Sequence, residues 1–286
     1  MEPMATFSFR GWRIAFSEFP PRNSRRRYAP PLVVVHGLLL SQRLYWPLAK
    51  DLAAKGHRVI TVDLLGHGDS DRPQDPSLYS ISCFSEQLGA LLDHLDLAEA
   101  ALFGTSMGAN VSLTYTVHNQ ERVRALVAEM PVLEGALVGG ATLLTPVLLG
   151  LKYGGFAFDA ASLGLRTVPR RLLPHYVDAL LVALRDHPSE RAVVLHGLFF
   201  GALGPTAAER ATVEVPTLVI GHRFDPLHPF GDAKRLADEL PNGRLIEACT
   251  PLELRLAPAR LTGEVNAFLK GAWSSPQQRP APLPTP

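Results

Sequence analysis

Gly104-Thr105-Ser106-Met107-Gly108 decides the fold of this chain; it follows the apolar run Ala100-Ala101-Leu102-Phe103 and precedes a stretch of helical character from Ala109 to Glu121. It is a G-x-S-x-G set between a predicted strand and a predicted helix. In that context the motif has a physical meaning: the chain turns sharply and lifts a serine hydroxyl above the sheet. The turn demands glycine at both flanks, because a Cβ there would strike the neighbouring strand or helix. The serine then sits at the positive end of a helix, with backbone N–H groups aimed where negative charge can develop. A loop rich in glycine and serine would share the letters but not the flanks.

Outward from this turn, the same alternation repeats. Pro31-Leu32-Val33-Val34-Val35 and His57 to Asp63 are short apolar runs of the kind buried on both faces of a parallel sheet. Val123 to Glu129, Pro216 to Gly221 and Gly243 to Ala248 continue the series. Helices are predicted at Trp46 to Lys55, at Ser80 to Leu95 with Ser82 or Ser80 as cap, at Asp232 to Leu240 and at Pro258 to Lys270. Thr6 to Phe19 opens the chain as one or two strands ended by Pro20-Pro21. Strand, helix, strand in this order implies parallel pairing through right-handed crossovers, an α/β fold with a mostly parallel, doubly wound sheet.

From Pro131 to about Arg210 the rhythm breaks, with no strand expected and helical spacings at Pro174 to Arg185 and Ser189 to Phe200. This segment is expected to be a helical cap inserted after strand 6, over the carboxyl edge of the sheet where open α/β folds bind ligands. The predicted organisation is a core of residues 1–130 and 211–272, a cap of 131–210 and a disordered Pro-rich tail of 273–286.

Composition narrows the function classes. The 286 residues are 47% hydrophobic, enough for a sizeable core, and the formal charge of +1 offers nothing to nucleic acid or an anionic membrane. The basic run Arg25-Arg26-Arg27 lies among Pro, Asn, Ser and Tyr, as a solvated loop does. Cys83 and Cys249 match neither a disulfide framework nor a metal-ligand spacing, so a reduced, cytoplasmic setting without metal or other cofactor is expected. Met1 to Arg13 has no secretory pattern, and the apolar region Leu137 to Leu151 is interrupted by Gly139, Gly140, Pro146 and Gly150, against a membrane span.

Four motifs in order carry a family resemblance over roughly Thr6 to Ala272: His36-Gly37 after the third strand, Asp63-Leu64-Leu65-Gly66-His67-Gly68-Asp69-Ser70 after the fourth, Gly104 to Gly108 after the fifth, and Asp225 after the seventh. The sequence resembles the α/β-hydrolase superfamily. The resemblance implies Ser106 as nucleophile, Asp225 as the acid of its triad, and the backbone N–H groups of Leu38 and Met107 as oxyanion hole. His36, His67 and Asp63 fit better as residues that fix loops around the site. Asp225 could alternatively serve only as a turn former before Pro226.

The chain departs from the family at the third member of the triad. The family's histidine follows the last strand, but here that strand is followed by Cys249-Thr250-Pro251-Leu252-Glu253-Leu254-Arg255-Leu256-Ala257-Pro258, and none of the ten histidines lies beyond His228. Without a base, a serine hydroxyl stays protonated and is a weak nucleophile. Three explanations stand. The base has moved, with His228 in Asp225-Pro226-Leu227-His228-Pro229-Phe230 the leading candidate, Glu129 a possible alternative acid, and His222 and His196 weaker candidates. Or the fold carries out other chemistry, of lyase or cyclase type. Or it binds a small molecule without turnover. The first leads to a hydrolase of a small to medium apolar ester, lactone or thioester acting through an acyl-enzyme; the Leu, Phe and Ala content of the cap points to an apolar ligand in each case.

Overall fold

The predicted alternation becomes one eight-stranded sheet in the computed structural model, which describes residues 4–21, 31–135, 188–199, 201–225, 227–250 and 252–274. The strands are β1 (Met4–Phe9), β2 (Trp12–Phe19), β3 (Pro31–Val35), β4 (Arg58–Val62), β5 (Ala100–Thr105), β6 (Val123–Glu129), β7 (Thr217–His222) and β8 (Gly243–Ala248). Their order is β1-β2-β4-β3-β5-β6-β7-β8. β1 and β2 form an antiparallel hairpin at one edge, turning through Arg10 and Gly11 with φ of 51° and 85°, and β2 also runs antiparallel to β4. Every pair from β4 to β8 is parallel.

Alternation within the strands explains why the sheet is covered on both sides. Val33, Val35, Ile60, Val62, Leu102 and Leu126 enter one core; Leu32, Val34, Val59, Ala101, Phe103 and Val127 enter the other. Period-2 geometry sends neighbours to opposite faces, so a continuous apolar run serves both. Helices α1 (Trp46–Ala54), α2 (Ile81–His94) and α3 (Met107–His118) alternate with β3 to β6. Leu88, Leu91, Val111 and Leu113 from α2 and α3 close the first core; Leu48 and Leu52 from α1 close the second. Ser80 caps α2, its hydroxyl accepting the N–H of Cys83 at 3.1 Å.

After β6, the described residues contain no strand until β7, as expected. Helix α4 (Pro188–Phe199) appears close to its predicted span, while the expected helix at Pro174 to Arg185 lies outside the described residues. Val194 and Leu198 of α4 join the first core. A Cβ on Gly197 would meet Tyr79 Cβ at 2.7 Å, so α4 packs against the Pro76–Tyr79 turn that follows the carboxyl end of β4. Short α5 (Ala207–Arg210) precedes β7, α6 (Phe230–Glu239) joins β7 to β8, and α7 (Glu253–Leu256), which the sequence had not announced, precedes α8 (Ala259–Ser274). The tail boundary needs a small correction: α8 runs through Trp273 and Ser274, and the Arg124 guanidinium lies 5.7 Å from the centre of the Trp273 ring.

The topology matters for function because β3, β5, β6, β7 and β8 are consecutive neighbours pointing the same way. Their carboxyl ends bring Gly37, Ser106, Glu129, the Asp225–His228 loop and the arm that carries Arg255 to one edge of the sheet.

Candidate active site

Ser106 occupies the turn between β5 and α3 with φ 54° and ψ −120°, a backbone conformation that side chains resist. Both flanking glycines are needed for backbone reasons. A Cβ on Gly104 would run into the carbonyl of Gly108, and one on Gly108 into the carbonyl of Val35 and, at 2.6 Å, that of His36. The turn is tied down by the Ser106 N–H, which donates to the Glu129 carbonyl at 2.8 Å, and by the Ser106 carbonyl, which accepts from Ala109 at 2.8 Å. The loop after β3 lies against it: the Cβ position on Gly37 is 3.6 Å from Ser106 Cβ. Leu38 and Met107, whose N–H groups are the expected oxyanion donors, therefore flank the serine from the loop and from the start of α3.

The histidine that the sequence offers as a relocated base lies next to Ser106. His228 Nε2 lies 2.8 Å from Ser106 Oγ, and His228 Nδ1 lies 2.8 Å from Asp225 Oδ2. Local sequence explains how residues three apart can pair. Asp225 Oδ1 accepts the N–H of Leu227 at 2.8 Å and of His228 at 3.1 Å, folding the loop around its own carboxylate. Pro229 then enters α6. With Oδ2 accepting the Nδ1 proton, Nε2 faces Ser106 as an acceptor. Burial works to raise the Asp225 pKa, but the hydrogen bond and charge of His228 and the two loop N–H groups outweigh it and hold the carboxyl below its ordinary range. Ser106, His228 and Asp225 form a continuous chain of hydrogen bonds whose side chains are largely enclosed, Asp225 at 6% and His228 at 15% exposure. Such a chain can take a proton from the hydroxyl and return it to a leaving group.

Glu129, weighed as an alternative acid, is engaged elsewhere. Its Oε2 accepts the Thr105 hydroxyl at 2.6 Å and Arg255 Nη2 at 2.8 Å, while Oε1 lies 3.3 Å from Arg255 Nη1 and 3.4 Å from His222 Nε2. Burial would raise its pKa, but Arg255 and His222 bring it down to about 2, so the group is a carboxylate. His222 is likewise taken up, with Nδ1 donating to the Thr250 carbonyl at 2.8 Å; His196 is on α4 and exposed. Arg255 was not singled out by sequence reasoning. Its signal is a lone arginine between Leu254 and Leu256, on the arm where the family places its histidine.

The remaining polar residues hold loops. His36 donates from Nδ1 to the Gly37 carbonyl at 2.8 Å and accepts the Leu64 N–H at Nε2, 3.0 Å away; burial pulls its pKa down to about 4 against that carbonyl. His67 donates to the Leu65 carbonyl at 2.9 Å, and burial keeps it neutral. Asp63 accepts the Gln42 backbone and side-chain N–H groups and the Asp69 N–H, at 2.7, 2.9 and 3.0 Å, and burial pushes its pKa up to about 6. Among the described residues, no group of three or more His, Cys, Asp and Glu side chains is arranged to hold a metal ion, and no helix is long and apolar enough to cross a membrane.

Comparison with known proteins agrees with the fold. The alpha/beta hydrolase fold family matches residues 30–154. The 2-hydroxymuconate semialdehyde hydrolase of Pseudomonas sp. (strain CF600) is 30% identical over 236 residues, 75% of this chain and 77% of that protein. The chain belongs to the α/β-hydrolase superfamily. Among solved structures, the enol-lactonase from Burkholderia xenovorans LB400 is similar with a TM-score of 0.74 and 21% identity, covering 93% of this chain and 100% of that one. The esterase RhEst1 from Rhodococcus sp. ECU1013 is similar with a TM-score of 0.72 and 23% identity, covering 93% and 98%. These likenesses establish a shared fold; the three proteins named are hydrolases.

Proposed function

We propose that this chain is a serine hydrolase whose catalytic base has moved from the arm after the last strand to the loop after β7. Ser106 is the nucleophile, His228 its general base and acid, and Asp225 the carboxylate that orients and stabilises the imidazole. The substrate is a small to medium ester, lactone or thioester with an apolar acyl or alcohol part. Ser106 Oγ attacks the carbonyl as its proton passes to His228 Nε2, and the N–H groups of Met107 and Leu38 receive the developing oxyanion. His228 returns the proton to the leaving group, and water, activated by the same imidazole, releases the acyl-enzyme. No cofactor takes part.

The observation that supports this most is the unbroken Ser106 Oγ–His228–Asp225 chain, with 2.8 Å at each link. The exposed Phe224 and Leu227, which flank Asp225, support an apolar substrate, as does the composition of segment 131–210, which we assign as the cap. The test is a fluorophosphonate probe read by intact mass. One adduct on the native protein and none on Ser106→Ala is the expected result. Absence of labelling on the native protein would sink the proposal. Turnover of a substrate by Ser106→Ala would instead point to lyase or cyclase chemistry.

A further inference from the structure

Among the described residues, Thr105, Glu129, His222 and Arg255 form a buried cluster beside the triad. It joins the ends of four neighbouring strands. Thr105 closes β5, Glu129 closes β6 and His222 closes β7, while Arg255 and Thr250 lie on the arm beyond β8. Glu129 holds the serine turn twice: its carbonyl accepts the Ser106 N–H at 2.8 Å, and its carboxylate accepts the hydroxyl of Thr105, the residue before, at 2.6 Å. His222 extends the connection to the other half of the triad. Its carbonyl lies 3.4 Å from the N–H of Asp225, its Nδ1 donates to the Thr250 carbonyl at 2.8 Å, and its Nε2 lies 3.4 Å from Glu129 Oε1.

We propose that Glu129, with Arg255 as its counterion, is a positioning residue that fixes the Ser106 turn relative to the Asp225–His228 loop. The proposal rests on the serine-hydrolase function above and assigns a role to the arm that lacks the family's histidine. That arm supplies a cation in place of a base. Arg255 forks onto both oxygens of Glu129 and stacks 4.9 Å from the centre of the buried Tyr45 ring, so its own place is determined. A carboxylate buried at 0% exposure needs such a partner. Ser106 is held at φ 54°, a strained conformation that persists only where the surroundings fix it, and the Ser106–His228 contact joins two separate loops. A displacement of about 1 Å between them is enough to cost about 100-fold in rate.

The test removes charges in pairs, so that no ion is left buried alone. Glu129→Leu/Arg255→Met deletes the ion pair and the acceptor for Thr105. Glu129→Gln/Arg255→Met deletes the ion pair and keeps an acceptor. With a p-nitrophenyl ester, the Leu/Met variant should lose about 30- to 100-fold in kcat with KM within about twofold of the parent. The Gln/Met variant should recover at least tenfold of that loss. Thr105→Val, which keeps shape and removes the donor, should lose kcat in the same manner, with Thr105→Ser restoring it; this pair decides the matter if a double variant does not fold. Hydrogen–deuterium exchange on the same proteins should be faster at residues 103–108 and 222–230 in Leu/Met and Thr105→Val and return toward the parent in Gln/Met and Thr105→Ser. The exchange readout needs no turnover, so failure of the hydrolase function, seen as no ester cleavage by the parent, is distinguishable from failure of this proposal. Unchanged exchange in those peptides, kcat within about threefold of an active parent, or a loss carried by KM would each overturn it.

Discussion

Replacing Asp225 by Asn separates the orienting role of the carboxylate from its role in building the loop. Asp225 Oδ1 accepts two loop N–H groups and Oδ2 accepts the His228 Nδ1 proton. An asparagine with its oxygen in the Oδ1 position keeps the loop bonds. Its amide NH2 then faces Nδ1 as a donor, which favours the tautomer with the proton on Nε2, the nitrogen 2.8 Å from Ser106 Oγ. The imidazole would present a donor where the reaction needs an acceptor, and the imidazolium formed during attack would have no countercharge. In a triad this change costs about 10⁴-fold in kcat, equivalent to about 5.5 kcal/mol of barrier. Release of p-nitrophenol from a butyrate ester gives kcat and KM across pH, and thermal unfolding shows whether the loop survives. The expected result is the full loss in kcat with KM and Tm close to the parent. Because Asp225 is held below its ordinary pKa, the parent should keep this carboxylate ionised throughout the mildly acidic range. A kcat for Asp225→Asn within about tenfold of the parent would refute the assignment and return attention to Glu129.

Three further outcomes follow from the packing and the buried charges. Gly108→Ala places a Cβ against the carbonyls of Val35 and His36, which are backbone and cannot move aside, so thermal unfolding should fall by several degrees with loss of phosphonylation; a parent-like Tm would show that the turn is not as tight as described. Gly263→Ala in α8 meets nothing within 4 Å and should raise stability by about 0.5–1 kcal/mol, seen as a higher denaturant midpoint; a lower midpoint would contradict it. Arg255 and His222 hold the buried Glu129 carboxyl down at about 2, below the ordinary 4.5, so the stabilisation it contributes is full above pH 4.5 and is lost as pH falls toward 2. Asp63 has the opposite sign: at about 6 against 3.8, it favours the fold below 3.8 and loses that as pH rises through 6. Unfolding midpoints of Glu129→Gln/Arg255→Met should therefore fall less than the parent's between pH 4.5 and 2; parallel curves would contradict the sign.

The serine turn was legible because its requirements are local. Two glycines, an apolar strand before and a helix after leave little choice of geometry, and the backbone contacts of Gly104 and Gly108 bear this out. Strands were legible because burial on both faces forces continuous apolar runs. The Asp225–His228 loop was legible in part: an acid and an imidazole three residues apart next to two prolines marked a candidate. That Oδ1 folds the loop so that Oδ2 reaches the ring depends on three-dimensional closure. Glu129 shows where sequence ran out. A carboxylate ending an apolar strand has to find a cation, yet Arg255 lies 126 positions away, and only the adjacency of β6, β7 and β8 brings the two together. The same adjacency engages the Glu129 carboxylate with Thr105 and Arg255.

The central claim is that the base for Ser106 stands on the loop after β7. The most direct measurement is kcat of His228→Ala on a p-nitrophenyl ester, taken beside its Tm and its rate of phosphonylation. A loss of about 10⁴-fold or more in kcat, with slow labelling of Ser106 and a Tm close to the parent, is the predicted result. Hydrolysis by His228→Ala within about threefold of the parent would contradict it.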